Sequence, residues 1–402
     1  MDVGEPRPVT APGIDLILGA DSISAPLTGI GRYALELARG LPVHPAIRQV
    51  RYFVLRGWVP LQPLLDAEGG GGVHSSANRP SLRNRLASNR MAVRAYHALV
   101  PHLQRWQLRD QERAIYHSPN YFLPPFPGCT VATIHDLSHH LYPQFHPAAR
   151  IDYMRRALPE SLSRANHLIT DAESVRRELI EHFGYPAERI TAIPLAANSA
   201  FRPHSVEEIQ ATLAPLHLEP HGYSLYVGTI EPRKNLDRLL DAYETLPQAL
   251  RMRYPLVMAG GAGWCSENTH KRMASAANAG WLHYLRYVSQ ADLPGLYSGA
   301  RVFVYPSLYE GFGLPVLEAM ASGTPVITSN SSSLPEVVGS AALQIQPEDV
   351  SCLAAALSRA LQDDAWRVSA SEAGLARAAQ FNWQRCVHQT VQVYEQLSRR
   401  SQ

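Results

Sequence analysis

The sequence predicts an α/β fold made of two doubly wound parallel sheets that face each other across a cleft. Short apolar runs alternate with amphipathic helical segments along almost the whole chain, which is the pattern of parallel sheets covered on both faces. The alternation stops once, at residues 198–222, where prolines and histidines surround one short helical piece. A length of 402 residues also exceeds what one core usually supports. We therefore expect two domains joined by a hinge region.

Each half of the chain supplies its own series of strands and helices. The first series predicts strands at residues 14–20, 50–55, 115–118, 130–135, 167–170 and 190–195, with helices at 29–41, 147–164 and 174–183. The second predicts strands at residues 224–230, 256–259, 282–287, 302–306, 325–329 and 342–345, with helices at 235–246, 314–321, 351–362 and from 364 to 398. Ligands bind beyond the carboxyl ends of the strands in such sheets, so loops from both halves can line one cleft.

Composition argues against several classes of function. The formal net charge is only +2, which does not suggest a nucleic-acid binder. The four cysteines are far apart and form no CxxC pair, so we expect buried free thiols rather than a disulfide scaffold or a zinc ribbon. Residues 1–10 have no apolar core, and no apolar stretch approaches the roughly 20 residues of a membrane span. We expect a cytoplasmic protein.

The strongest motif lies at residues 309–318, directly after a predicted strand. Gly311 and Gly313 allow backbone N–H groups to approach a ligand, and Pro315 suits the first turn of a new helix. A strand, a glycine-containing loop and a helix N-terminus together form an anion site. Glu310 and Glu318 lie on either side of it, and carboxylates there are good acceptors for sugar and ribose hydroxyls. The alternative is a tight turn with a helix-capping acid.

A basic pair ends the first strand of the second half. Arg233 and Lys234 lie where that strand gives way to a helix, at the same sheet edge as the glycine loop. A guanidinium and an ammonium there can hold a diphosphate and offset the charge that develops as it leaves. Without that position, the pair would be interpreted as two solvated surface charges.

A third motif, at residues 28–34, contains Gly29 and Gly31 and fits the dinucleotide pattern G-x-G-x-x-A. That pattern requires a tight junction with its strand and an acid at the end of the next strand. Here residues 21–28 intervene, and the second strand ends without an acid. We therefore interpret the glycines as a phosphate-approach loop rather than a nicotinamide site.

A fourth motif places several histidines after the strand at residues 130–135. His135, Asp136, His139 and His140 invite a metal-site interpretation, but their alternation does not put all four on one face. We favour His135 as a hydrogen-bonding residue that lines the cleft. The remaining alternative is that these histidines are structural.

An arginine-rich stretch occupies residues 79–113. Its arginines are Arg79, Arg83, Arg85, Arg90, Arg94, Arg105, Arg109 and Arg113, interleaved with leucines, a tyrosine and Trp106. One interpretation is an ordinary solvated helix face. The other is a basic amphipathic surface that contacts an anionic membrane or a lipid-phosphate acceptor, which would place the protein peripherally at the inner face of the plasma membrane.

In this order the four motifs resemble glycosyltransferase family 4, whose members share the GT-B architecture of two Rossmann-like domains facing a central cleft. The resemblance covers nearly the whole chain and is most specific between residues 228 and 335. It implies an acceptor-side domain at residues 1–203 and a nucleotide-sugar-binding domain at 204–380. A final helix at 381–402 would pack back toward the first domain.

The resemblance also implies individual roles. Glu310 resembles the acid that binds hydroxyls of the donor sugar, Glu318 the acid that binds the ribose, and Arg233 and Lys234 the pair on the diphosphate. His135 resembles the histidine near the transferred sugar, and Gly31 would approach the diphosphate from the opposite domain. The implied catalytic residues are Glu310, His135, Arg233 and Lys234. The implied donor-binding residues are Gly29, Gly31, Gly228, Arg233, Lys234, Val288, Glu310, Gly311, Phe312, Gly313, Leu314 and Glu318.

The resemblance further implies a retaining transferase that needs no metal or other cofactor. Residues 134–147 are similar to bacterial enzymes of O-antigen and exopolysaccharide assembly, many of them mannosyltransferases. We therefore expect a hexose, with mannose from GDP-mannose preferred, to pass to a glycan or lipid-linked acceptor. The alternatives are a UDP-sugar donor, a nucleotide-sugar-binding protein without transferase activity, and an epimerase or phosphorylase on the same architecture.

Overall fold

A computed structural model describes residues 13–400 apart from 26, 56, 67–99 and 101. Within these residues the chain forms two separate sheets, one of seven strands and one of six. The predicted fold class is confirmed, and every predicted strand is present with its ends shifted by a few residues at most. Most of the arginine-rich stretch lies outside the described residues.

The seven-stranded sheet is built from the first half of the chain. Its strands are β1 Ile14–Gly19, β2 Ile47–Val54, β3 Gly57–Val59, β4 Ile115–Ser118, β5 Thr130–Ile134, β6 His167–Thr170 and β7 Ile190–Ala192. Their order is β3-β2-β1-β4-β5-β6-β7, and all neighbours are parallel except β2 and β3. The antiparallel edge strand β3 was not predicted, because three residues are too few to show an alternating pattern.

Helices cover both faces of this sheet. They are α1 Gly29–Gly40, α2 Gln62–Asp66, α3 Ser138–Leu141, α4 Ala148–Arg164 and α5 Glu173–Phe183, and residues 102–108 are also helical. Helix α1 follows the sequence pattern closely, because Tyr33, Leu37 and their apolar neighbours all fall on its buried face.

The six-stranded sheet is entirely parallel. Its strands are β8 Ser224–Val227, β9 Leu256–Ala259, β10 Leu282–Arg286, β11 Val302–Tyr305, β12 Val326–Ser329 and β13 Leu343–Ile345, in the order β10-β9-β8-β11-β12-β13. The helices of this half are α6 Val206–Leu213, α7 Leu236–Thr245, α8 Gln248–Arg253, α9 Glu267–Asn278, α10 Leu293–Ser298, α11 Leu314–Ala321, α12 Leu334–Val338, α13 Val350–Gln362 and α14 Asp364–Ala378. Strand order reverses next to β8 and β11, which puts the switch point of the sheet between these two strands.

The last helix, α15 (Trp383–Arg400), crosses back to the first half. It packs against α1, β1 and β6, and the Tyr394 hydroxyl lies 2.6 Å from Nδ1 of the buried His117 in β4. The predicted helical segment at 364–398 is therefore divided, because α14 packs on α11 in the second half before the chain crosses at residues 379–382.

Two further expectations concerned the state of the cysteines and the presence of a membrane span. The four cysteines are free thiols. Cys386 is buried, Cys129 and Cys352 are half-buried and Cys265 is exposed, so the expectation that all four are buried holds for Cys386 alone. Among the helices that the structure describes, none has the length and apolar character needed to cross a membrane.

Candidate active site

The 309–313 loop connects β11 to the N-terminus of α11. Gly313, with φ +110°, is the N-cap residue of α11, and Pro315 lies in the first turn as expected. The hydroxyl of Ser333 donates to the carbonyl oxygens of Glu310 (2.9 Å) and Phe312 (2.8 Å). These bonds fix the loop at the carboxyl edge of the sheet, with the amides of the first turn of α11 at its end.

The carboxylate of Glu310 meets both predicted cations. Its Oε1 accepts a 2.6 Å hydrogen bond from Lys234 Nζ, and its Oε2 accepts a 2.9 Å bond from Arg233 Nη1. Arg233 also donates to Glu231 Oε1 (2.7 Å), and Lys234 also donates to the Tyr305 hydroxyl (2.6 Å). The predicted convergence of the basic pair and the first glutamate is therefore present, and all three side chains are almost fully buried.

Electrostatics keep this cluster charged despite its burial. Burial alone would raise the pKa of Glu310, but Arg233 and Lys234 outweigh it and lower that pKa to about 2. Burial and the neighbouring Arg233 lower the pKa of Lys234, against the attraction of Glu310. Two cations held in a site of low dielectric interact strongly with any anion placed between them. In this structure both cations are paired with carboxylates, Arg233 with Glu231 and Glu310 and Lys234 with Glu310.

The second predicted glutamate, Glu318, lies one helical turn further along in α11. The Tyr297 hydroxyl donates a 3.2 Å hydrogen bond to its Oε2. Burial raises the pKa of Glu318 to about 7, although Arg32 of helix α1 and Tyr297 both act in the opposite direction. At neutral pH this carboxyl group can both donate and accept hydrogen bonds, which suits contacts with hydroxyl groups.

Facing the loop is the 135–137 segment, which follows β5 in the first half. A Cβ atom placed on Gly311 would come within 1.8 Å of the His135 carbonyl oxygen. Only glycine permits this approach between the two halves. The predicted residues His135 and Gly311 therefore meet directly, and the part of His135 that faces the loop is its backbone carbonyl.

The His135 imidazole uses both of its nitrogens in hydrogen bonds within the first half. Nε2 donates to the carbonyl oxygen of Pro119 (2.8 Å), and Nδ1 lies 2.7 Å from Oδ2 of Asp171. Burial alone would lower the pKa of His135, but the Asp171 carboxylate and the Pro119 carbonyl more than offset it, so that the pKa is raised.

Two hydrogen bonds tie the 309–313 loop to the first half. The Tyr309 hydroxyl accepts from the backbone N–H of Leu137 (3.0 Å) and donates to Oε2 of Glu178 in α5 (2.6 Å). Burial raises the pKa of Glu178 to about 7, against the opposing effect of the Tyr309 hydrogen bond. The residue before Glu310 is thus held by two groups of the opposite half.

Further polar contacts join the halves around this point. Helix α5 receives no side-chain cap from its own N-cap residue, and the Glu336 carboxylate of α12 caps it from the second half. The two carboxylate oxygens accept from the backbone N–H groups of Glu173 (2.8 Å) and Ser174 (2.7 Å). Arg32 donates to Gln290, and the Trp264 indole donates to the carbonyl oxygen of Phe145. The two halves are therefore joined by several hydrogen bonds around the 309–313 loop.

The glycines of helix α1 have different surroundings. Thr28 caps the helix by accepting from the Gly31 N–H (3.2 Å), and a Cβ atom on Gly31 would lie 2.6 Å from the Ser22 carbonyl oxygen. Gly31 thus allows the loop at residues 21–28 to fold back on the helix start. A Cβ atom on Gly29 would lie 3.5 Å from Leu314 Cδ1, so Gly29 faces the start of α11 across the cleft.

The other predicted donor-binding residues lie at the same edge of the six-stranded sheet. Gly228 follows β8, and its N–H donates to the Ala259 carbonyl oxygen (2.9 Å). Val288 follows β10 and is half-buried. The Phe312 side chain is buried against Phe381, with ring centroids 6.0 Å apart, so only its backbone can face a ligand in the cleft.

The histidine-rich motif does not assemble into a metal-binding geometry. Asp136 accepts hydrogen bonds from the backbone N–H and the hydroxyl of Ser138 (3.0 and 2.8 Å). Burial lowers the pKa of His139 to about 4, whereas His140 is exposed and packs against Phe183. In the described part of the chain, no group of three or more His, Cys, Asp or Glu side chains is placed to hold a metal ion.

Several side chains at the site were not predicted. Asp171 follows β6 just as His135 follows β5, and this shared strand-end position was the one available signal. Glu178 and Glu336 lie on helices and had no local signal. Tyr309 was noted only as the first residue of its motif, and its contacts with the opposite half depend on how the two sheets face each other.

Two family models and several known proteins match the sequence of this chain. The family model described as glycosyl transferases group 1 matches residues 215–377, and the model for glycosyltransferase family 4 matches residues 27–200. O-antigen chain mannosyltransferase B of Escherichia coli is 43% identical over 382 residues, which is 95% of this chain and 100% of that protein. The serotype-specific mannosyltransferase WbdA of Escherichia coli is 33% identical over 285 residues, 69% of this chain but only 34% of WbdA.

Solved structures share the fold at low sequence identity. HepE of Anabaena, solved with UDP and glucose, has a TM-score of 0.71 at 15% identity and covers 95% of this chain and 100% of its own. WaaG, a glycosyltransferase involved in lipopolysaccharide biosynthesis, has a TM-score of 0.68 at 17% identity, with coverages of 94% and 98%. The chain therefore belongs to glycosyltransferase family 4 and is a glycosyltransferase with the GT-B fold.

Proposed function

We propose that the chain is a retaining mannosyltransferase of bacterial polysaccharide synthesis, which transfers mannose from GDP-mannose to a glycan or lipid-linked glycan acceptor. The observation that carries this proposal is the 43% identity with O-antigen chain mannosyltransferase B over the whole length of that protein. The buried cluster of Arg233, Lys234 and Glu310 at a helix N-terminus supports a diphosphate-sugar donor.

The second half holds the donor in this proposal. Arg233 and Lys234 bind the diphosphate and stabilise it as it departs, since both can reach an anion at the carboxyl edge of the sheet. Glu310 accepts hydrogen bonds from hydroxyl groups of the sugar, and Glu318 accepts hydrogen bonds from those of the ribose. The amides of residues 311–314 contact sugar and phosphate at the helix N-terminus. Gly228 and Val288 line the same edge, and Gly29 and Gly31 approach from the other half.

The anomeric configuration is retained because the acceptor oxygen attacks the face of the sugar from which the diphosphate leaves. The bond between the anomeric carbon and the diphosphate oxygen breaks, and the acceptor oxygen bonds to the same face of that carbon. The acceptor hydroxyl proton passes to the departing phosphate oxygen. Glu310 is an unsuitable nucleophile of the type found in retaining glycosidases, because its carboxylate is committed to two cations.

The basic pair also supports a reaction without a divalent metal, because two buried cations can take the charge role that a metal ion would otherwise have. We expect turnover to be unchanged in excess chelator. A loss of turnover that manganese or magnesium restores would contradict this. The candidate metal ligands would then be His135, Asp136, His139 and His140.

A panel of donors tests the proposed function. Purified protein is given GDP-mannose, GDP-fucose, UDP-glucose or UDP-galactose, with and without a lipid-diphosphate-linked glycan acceptor. We expect product only with acceptor present and a kcat/KM for GDP-mannose that exceeds all others. A preference for a UDP-sugar would show that the donor is that sugar nucleotide and not GDP-mannose. Nucleotide-sugar binding without product would favour a non-catalytic binding protein, and a converted donor without acceptor would favour an epimerase.

We further propose that the protein is cytoplasmic and that residues 79–113 contact an anionic membrane surface peripherally. In the described part of this stretch, Trp106 is 62% exposed, Leu103 is also exposed, and the Arg109 guanidinium lies 5.7 Å from the Trp106 ring centre. An exposed aromatic residue among basic ones suits the interface of a bilayer, where each basic residue contributes about 1 kcal/mol.

Vesicle co-sedimentation tests the membrane contact. Wild type is compared with a variant in which Arg83, Arg85, Arg90 and Arg94 are changed to Gln, on neutral and anionic vesicles. We expect wild type to bind anionic vesicles in a manner that salt weakens, and the variant to bind less. Equal binding of both proteins to both vesicles would leave residues 79–113 as an ordinary solvated surface.

A further inference from the structure

Asp171 and His135 form a buried, hydrogen-bonded pair in the first half of the chain. Asp171 is 3% exposed and His135 is 7% exposed, and they directly follow the neighbouring parallel strands β6 and β5. The two side chains meet at 2.7 Å between Oδ2 and Nδ1. The other oxygen of Asp171, Oδ1, has no hydrogen-bond partner among the described residues, so the carboxyl group is committed to His135 alone.

The hydrogen-bond partners determine how this pair is protonated. A carbonyl oxygen only accepts, so Nε2 of His135 carries a proton that it donates to Pro119. One further proton then lies between Nδ1 and Oδ2, whichever atom holds it, and the pair has a net charge of zero. With both ring nitrogens engaged, the imidazole is fixed in orientation and has no free nitrogen for proton transfer to or from a substrate.

The fixed imidazole belongs to the segment that faces the 309–313 loop. The His135 carbonyl oxygen lies against Gly311, and the Leu137 N–H donates to the Tyr309 hydroxyl. Groups that must be held at a reacting centre are usually fixed by a second layer of hydrogen bonds, because small displacements are costly there. The hydrogen bond from Asp171 anchors the first residue of the 135–137 segment in this way.

We propose that Asp171 is a positioning residue, which acts through the His135 imidazole to hold the 135–137 segment against the 309–313 loop. Its contribution is the hydrogen bond and not its charge. The activity readout of this proposal rests on the proposed transferase function, but the structural readout does not. Since the donor nucleotide binds in the second half, loss of the anchor affects turnover more than donor binding.

Two substitutions separate the hydrogen bond from the charge. Asp171→Asn keeps a group that can donate to Nδ1 while Nε2 still donates to Pro119, whereas Asp171→Ala removes the anchor. We expect Asp171→Ala to lower kcat roughly 10- to 100-fold with little change in donor KM, and Asp171→Asn to restore most of the turnover. Should the alanine variant fail to fold, Asp171→Leu replaces it, because leucine has the same branching at Cγ and no hydrogen-bonding group.

Hydrogen exchange of the Leu137 amide measures the position of the segment without any substrate. We expect exchange to be about tenfold or more faster in Asp171→Ala and close to wild type in Asp171→Asn. The matched control is Tyr394→Phe, which removes another buried hydrogen bond to a histidine, His117, in the same sheet. This control should change thermal stability but neither kcat nor Leu137 exchange.

Three results would overturn the proposal. They are an Asp171→Ala variant with wild-type kcat and Leu137 exchange, an Asp171→Asn variant as impaired as Asp171→Ala, and a Tyr394→Phe control that shows the same losses. A wild-type protein that transfers no sugar from any donor would contradict the proposed function instead. The exchange comparison would still decide the role of Asp171 in that case.

Discussion

The hydroxyl of Tyr309 donates a 2.6 Å hydrogen bond to Oε2 of Glu178, although the two residues are 131 positions apart and belong to different halves of the chain. The same hydroxyl accepts from the Leu137 N–H (3.0 Å). Because Tyr309 directly precedes Glu310, the loop that carries the proposed sugar-binding glutamate is held in place by the opposite half. The position of the 309–313 loop is therefore coupled to the contact between the two halves.

Replacing Tyr309 with Phe should weaken this coupling. The substitution leaves the Leu137 N–H and the Glu178 carboxyl group without their partner, and an unpaired buried polar group costs about 1–3 kcal/mol. We expect kcat/KM to fall by about tenfold, as measured by steady-state kinetics. Tyr287→Phe is the matched control, because Tyr287 is 66% exposed in the same half. Equal kinetics for the two variants would show that the hydroxyl does not support the site.

Glu178 should make stability depend on pH. Burial raises its pKa from the ordinary value of 4.5 to about 7, so the folded state binds more protons than the unfolded state between these values. The free energy of unfolding should therefore decrease as pH rises through this window. In denaturant titrations between about pH 5 and pH 8, Glu178→Gln should show a flatter dependence than wild type. The control is Glu188→Gln, at an exposed position of the same half, which should keep the wild-type dependence. Identical slopes for all three proteins would contradict the prediction.

Lys234 should contribute mainly to the transition state. Its Nζ lies 2.6 Å from Glu310 Oε1, at the place where we expect the departing diphosphate. Lys234→Ala should lower kcat by about 100- to 1000-fold, which is typical for loss of one preorganised electrostatic stabiliser. GDP affinity measured by calorimetry should change much less. The control is Lys271→Ala, at an exposed position in α9. Unchanged turnover in Lys234→Ala would remove this residue from the mechanism.

Gly311→Ala should prevent the close approach of the two halves. The new Cβ atom would lie 1.8 Å from the His135 carbonyl oxygen, which is impossible without separation of the 309–313 loop from the 135–137 segment. We expect a larger radius of gyration by small-angle X-ray scattering and almost no transfer activity. Gly261→Ala is the control, because a Cβ atom there would meet nothing within 4 Å. A compact and active Gly311→Ala protein would show that closure does not require this contact.

The sequence predicted those parts of the fold and site that depend on local signals. The strand, glycine loop and helix around Glu310 were predictable because an apolar run, two glycines and Pro315 follow one another within a short segment. The meeting of Arg233 and Lys234 with Glu310 followed from a general property of parallel sheets, whose strand ends share one edge.

The contacts between the two halves could not be predicted in this way. Glu178 and Glu336 are acids with ordinary sequence surroundings, and their partners become neighbours only when the two halves are placed face to face. The orientation of the His135 imidazole could also not be predicted from the sequence, because it depends on the Pro119 carbonyl and on Asp171, which follows another strand. Such contacts reflect tertiary packing rather than periodicity.

The most direct test of the account is the anomeric configuration of the bond formed from GDP-mannose, in which mannose is α-linked. The product made on a lipid-diphosphate-linked glycan acceptor is isolated, and the one-bond carbon–hydrogen coupling at the new anomeric centre is measured by NMR. The account predicts an α-mannoside, released together with GDP in equal amounts and in the presence of chelator. A β-mannoside, or no mannosyl product while another nucleotide sugar reacts, would contradict it.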